Sequence, residues 1–284
     1  MQIGAGLAAR MFGTVPAAGL TGLRLWVASA VLIGLGARPA IMAVRGIVTD
    51  RAWGDAAVVA GFGLALAVMN FSIYQAFARI PLGIAVTIEF LGPLGVAVAS
   101  SRRRIDLLWV VLAATGVALL GASGVKGVSA TATVLAGLLY ALIAAGSWAS
   151  YILLSASTGR RFGGGSGLAI AMGIAAVLVT PVAVISSGRA LLKPAVLATG
   201  LAVGLLSSVI PYRFELETLR RVPARVFGIW MSLAPAVAAL VGVVMLSQSL
   251  TIAQWLAIGC VAVATAGAAA NNSGGTASVN RAIR

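Results

Sequence analysis

Residues 81–104 read PLGIAVTIEFLGPLGVAVASSRRR: an apolar run opened by Pro81, interrupted by Glu89 and by Gly92-Pro93, and closed by three arginines. A helix needs ~20 residues to cross ~30 Å of hydrocarbon, so the stretch reads as a membrane span with a break near its middle. The same punctuation returns downstream. Ile80-Pro81 aligns with Val222-Pro223, and Gly92-Pro93 with Ala234-Pro235, both at an offset of 142 residues. With four more residues in the second copy, Trp109 then matches Trp255 and Gly121 matches Gly267.

Outward from this stretch, apolar segments near 1–13, 17–37, 55–78, 81–100, 105–124, 131–154, 166–187, 195–218, 222–246 and 250–270 are separated by Gly-, Pro-, Ser- or Arg-rich breaks. The expectation is an all-α membrane protein of ten transmembrane helices, the first one short. The short first segment implies either a start upstream of Met1 or a partial helix packed against protein, and Arg10 argues against a separate signal peptide. The repeat divides the chain into 1–124 and 131–270, with 271–284 as a disordered cytoplasmic tail. Five spans per half is an odd number, so the second half enters the membrane in the opposite sense. Two inverted five-helix repeats are a transporter architecture.

Composition agrees. Of 284 residues, 61% are hydrophobic and 9% charged, and the mean hydropathy is +1.07, which excludes a soluble globular domain. The net charge of +14 would suggest nucleic acid in a soluble protein. Here the arginines lie in short gaps between spans, so their partners are the headgroups of the lipid bilayer. With both termini cytoplasmic, the inner segments hold twelve basic residues and the outer loops four, Arg79, Lys126, Arg189 and Lys193. One cysteine and no histidine leave no disulfide framework, no metal site and no cofactor-binding motif. An intramembrane enzyme would need a nucleophile beside a base, or metal ligands, and the spans contain neither arrangement.

An ionisable group in hydrocarbon costs ~2.5–3.5 kcal/mol, so each one is a candidate functional residue. Glu89 lies eight residues past Pro81, Arg24 eight past Pro16, and Asn70 eight before the end of its span at Ala78. At ~1.5 Å per residue this sets all three about 12 Å deep, the level at which transporters hold substrate. The competing reading makes Arg24 and Glu89 a buried ion pair that only orients two helices, and Asn70 an interhelical hydrogen bond. Trp148 and Tyr151 interrupt the sixth span beside Ser147 and Ser150, and either line a cavity or pack. The offset maps Asn70 onto Tyr212 and sets Glu215 toward the inner half of the path, whereas Glu217 with Arg220 and Arg221 reads as a solvated network.

Several stretches together resemble the EamA-type carriers of the drug/metabolite transporter superfamily, most closely the threonine/homoserine exporter group. They are 81-PLGIAVTIEFLGPLGVAVASSRR-103 with Asp106 after it, 70-NFSIY-74, 148-WASYIL-153, 211-PYRFE-215 and 223-PARVFGIWMSLAPAVAAL-240, and the resemblance runs from about residue 2 to 270. It implies two inverted EamA repeats and residence in the bacterial inner membrane. It further implies export of an amino acid-like small-molecule substrate such as threonine or homoserine, a proton as coupling ion, and room for a homodimer. The family acid of IEFLGPL corresponds to Glu89 and that of PYxxE to Glu215. The chain departs from the group at Ala234 and at Gln248, where the group carries Glu, and at Arg213. Other readings are efflux of a drug or other metabolite, or a non-transporting membrane sensor or packing protein.

Overall fold

The computed structural model describes residues 1–49, 51–100, 105–123, 131–211, 214 and 224–271. Among them every regular element is helical. In chain order they are α1 (Gln2–Arg10), α2 (Ala17–Thr49), α3 (Trp53–Phe77), α4 (Leu82–Glu89), α5 (Leu91–Ala99), α6 (Asp106–Ser123) and α7 (Thr131–Arg161). They continue as α8 (Ser166–Ser187), α9 (Pro194–Gly204) with a π-helical turn Leu205–Val209, α10 (Ala224–Met231), α11 (Ala234–Leu246) and α12 (Ile252–Asn271). Seven stretches are long and apolar enough to cross a bilayer, and Asp106–Leu120 and Pro194–Val209 are shorter apolar helices. The bundle's outer surface exposes Leu64, Leu107, Leu142, Val177, Ile185 and Val244, an apolar coat that only lipid tails can cover. The chain is a multi-pass membrane protein.

Two spans outrun their expected ends. α2 continues from residue 37 to Thr49 and α7 from residue 154 to Arg161. In α2 the sequence suggests a stop at Arg38-Pro39, yet the helix passes through Pro39, which forfeits one backbone bond without ending the run. In α7, Ser155, Ser157 and the two arginines carry the helix on, with Ser155 and Ser157 donating back to carbonyls of the preceding turn.

The fourth span does break where the sequence says it should. Pro93 has no N–H to offer the Glu89 carbonyl, and the helix divides at Phe90 into α4 and α5. A second break at Ser232–Leu233 divides α10 from α11, where Pro235 likewise leaves the Met231 carbonyl without its helical donor.

Small residues let the elements approach closely. α4 lies on α11, α6 on α12, α2 on α8, and α7 against α3 and α5. A Cβ at Gly83 would stand 2.7 Å from Ala239 Cα, one at Gly92 would collide with the Ala145 carbonyl, and the ring of Trp109 occupies the space beside Gly267. At the end of the bundle formed by Ile80, Leu82 and Leu246, two hydrogen bonds join the first half of the chain to the second. Arg10 Nε donates to the Met245 carbonyl (2.7 Å), and the Leu82 N–H, an orphan donor at a helix start, donates to Gln248 Oε1 (3.0 Å). At the opposite end Arg161 pairs with Asp55 at 2.6 Å, joining α7 to α3.

Gly92→Val is therefore expected to destabilise the protein by about 1–3 kcal/mol. Gly95→Ala, which meets open space, should leave stability within ~0.5 kcal/mol. Thermal unfolding of the detergent-solubilised pair checks both, and equal melting temperatures would refute the packing role given to Gly92.

Candidate functional site

Arg24 sits in the first third of α2, buried, with its Nε donating to Ser208 Oγ (3.0 Å) and its Nη2 to the Ser207 carbonyl (3.3 Å). Its guanidinium lies over the ring of Tyr74, 5.2 Å from the centroid. The π-helical turn carries both serines, and Pro211, four residues after Ser207, has no N–H to offer the Ser207 carbonyl, which accepts from Arg24. Two hydroxyl-bearing residues in a row in GLLSSVIP were the available signal for this partner, and neither was singled out from the sequence.

Glu89 is the last residue of α4, at the break. It is half-buried, and among the described residues its carboxylate makes no hydrogen bond and no ion pair. Arg24 and Glu89 do not close on each other, since neither is the other's hydrogen-bond or ion-pair partner. The competing reading of a sealed, orienting ion pair is therefore not what forms. Nη1 of Arg24 and both carboxyl oxygens of Glu89 are left without a partner among the described residues. Asn70 is buried in α3, and its Nδ2 donates to the Leu66 carbonyl one turn back at 2.8 Å, a helix-internal bond.

A cavity of about 430 Å³ adjoins the break. It lies between α5, α7, α8, α10 and α12, nearer the bundle end that holds Arg161 and Asn271, since Ser155, Phe227 and Ala269 near those helix ends line it. Trp148 and Tyr151 both line it, as one of their two sequence readings expects. Trp148 meets Phe90 edge-to-face at 5.0 Å, and the Tyr151 ring is held by Phe62 at 5.2 Å. Arg24, Asn70 and Glu89 are not among its lining, although Phe90, the neighbour of Glu89, is. The α10 wall, Phe227 and Met231, carried no signal in the sequence, because apolar residues in an apolar span look alike whether they face lipid or a cavity. Tyr212 and Glu215 lie outside the described residues.

Among the described residues no cluster of His, Cys, Asp and Glu suits a metal. The site has charges, hydroxyls and aromatic faces for binding a small amphiphile, but no nucleophile beside a base. Against known proteins, residues 135–269 match the EamA-like transporter family. The threonine/homoserine exporter RhtA of Escherichia coli (strain K12) is 39% identical over 269 residues, covering 94% of this chain and 86% of that one. The chain belongs to the EamA family.

RhtA of Salmonella typhimurium (strain LT2) is likewise 39% identical, over 270 residues, at the same coverages. A crystal structure at 21% identity superposes with a TM-score of 0.57 over 100% of this chain and 97% of its own, which speaks for the fold alone. As an EamA protein the chain is a membrane carrier of small molecules and not an enzyme.

One contact beside Arg24 of this EamA protein is dispensable. The Tyr74 hydroxyl is buried without a partner while its ring carries the guanidinium. Since an unpaired buried hydroxyl is a cost of about 1–3 kcal/mol, Tyr74→Phe is expected to keep or raise stability. Tyr74→Ala removes ring and packing and should lose about 3–5 kcal/mol. A Tyr74→Phe protein that melts well below wild type would show that the hydroxyl has a partner after all.

Proposed function

We propose that the chain is a secondary carrier of the bacterial inner membrane that exports a small amino acid-like solute, of the kind named for its threonine/homoserine-exporting relatives, in exchange for protons. The single observation that carries this reading is the pair of separated charges, Arg24 and Glu89, beside a helix break and a cavity. A zwitterion fits between them: the substrate carboxylate toward Arg24, and its ammonium, or the coupled proton, toward Glu89. Asn70, Trp148 and Tyr151 complete the site as this reading has it, with Tyr212 and Glu215 on the inner path.

The proposed architecture is ten spans in two inverted repeats, 1–124 and 131–270. In its favour, α1, α6 and α9 supply three short helices beside the seven long ones. The second helix break, at Ser232, comes 142 residues after the one at Phe90, the offset of the sequence repeat. The packing also pairs equivalent spans, the second on the seventh, the fourth on the ninth and the fifth on the tenth. Both termini face the cytoplasm in this proposal, on the strength of the basic-loop count. The cavity then opens inward, while the bonds at Met245 and Gln248 close the outer end.

In everted vesicles, an imposed proton gradient is expected to drive accumulation of threonine or homoserine by the wild-type protein. Arg24→Ala and Glu89→Gln, each removing a charge-assisted hydrogen bond, should lower transport about ten- to a hundredfold. Wild-type rates in both variants, once their membrane insertion is established, would sink the proposed site.

A further inference from the structure

The cavity beside the break is chemically one-sided. Its walls are formed by Phe90, Leu94, Trp148, Ile152, Phe227 and Met231, and among the described residues no charged side chain lines it. Three hydroxyl-bearing residues line it, Tyr151, Ser155 and Thr265. Two of them have the proton committed: Ser155 Oγ donates to the Ile152 carbonyl (2.9 Å) and Thr265 Oγ1 to the Val261 carbonyl (2.8 Å), so Ser155 and Thr265 offer a ligand only lone pairs. The Phe90–Trp148 edge-to-face pair presents aromatic surface to the cavity, and Phe90 directly follows Glu89 in the chain. At the repeat offset Glu89 corresponds to Met231, so the second half offers a polarizable apolar side chain where the first offers a charge.

A volume of about 430 Å³ lies within the ~300–1,000 Å³ range of pockets that enclose sizeable apolar ligands. A small hydroxylated side chain would leave most of it unfilled and would gain little from rings that bind through apolar area. We infer that this cavity holds the substrate's side chain and selects amino acids with large apolar side chains, branched aliphatic or aromatic, over small hydroxylated ones. The inference rests on the proposed carrier function and goes beyond it, since it departs from the threonine-like solute named there. Ser155 and Met231, facing the cavity from α7 and α10, are the specificity-determining positions.

The test is counterflow in proteoliposomes of the purified full-length protein, with radiolabelled phenylalanine, leucine and threonine compared at equal concentration. Phenylalanine and leucine are expected to half-saturate at least about tenfold below threonine. Ser155→Phe, which fills the cavity, should raise the phenylalanine half-saturation about tenfold more than that of threonine. Met231→Phe should do the same from the opposite wall, so the result does not depend on one variant folding. Exchange of threonine in preference to both apolar amino acids, or an equal effect of the filling variants on all three, overturns the inference while leaving the carrier reading intact. Exchange of none of a full panel of amino acids by correctly inserted protein overturns both.

Discussion

Inside hydrocarbon a backbone N–H or C=O has no water to fall back on, so a helix that breaks there must have its freed groups met by protein or by whatever the protein binds. Pro93 and Pro235 impose two such breaks, each at a residue that cannot donate to the carbonyl four places earlier. The rest of the bundle is built around them. Gly92 admits the Ala145 carbonyl beside the first break, and Gly83 admits Ala239 where the two broken spans lie together. Of the side chains at the breaks, Phe90 in one span and Met231 in the other line the cavity, and Glu89 directly precedes the first.

In the proposed two-repeat architecture the halves share a backbone plan without sharing chemistry. The first contributes Arg24, Asn70 and Glu89, while Arg24 draws its hydrogen-bond partners, Ser207 and Ser208, from the second. The second contributes the aromatic and thioether wall of Phe227 and Met231. Division of labour of this kind lets one end of a zwitterionic amphiphile be recognised by charge and the other by apolar area.

Much of this was legible in the sequence because prolines and charges are rare in apolar spans. Gly92-Pro93 located the break to within two residues, and Arg24 and Glu89 were visible as ionisable groups in apolar spans. What could not be read was anything decided by which way an apolar residue faces. Phe227 and Met231 look like any lipid-facing pair, and Ser207-Ser208 look like ordinary helix-packing residues until the π-helical turn sets them beside Arg24. Span lengths were misjudged in α2 and α7 for a related reason. Pro39 was read as a stop, although a single proline costs a long helix one bond, and polar residues past position 154 were read as loop although they continue the helix to Arg161. Glu215 and Tyr212 lie outside the described residues, so the inner path rests on sequence alone.

The closure across the end of the bundle at Leu82 and Leu246 has a thermodynamic consequence. It consists of two hydrogen bonds, from Arg10 to Met245 and from Leu82 to Gln248, together with contacts between small side chains. At about 0.5–1.5 kcal/mol net for each bond, the hydrogen-bonded part of the closure is comparable to or weaker than the roughly 4 kcal/mol that accompanies binding of a ligand at a millimolar dissociation constant. Two hydrogen bonds are too little to hold that end shut by themselves, so most of the closure falls to the apolar packing around Ile80, Leu82, Val241 and Leu246, which belong to one core cluster.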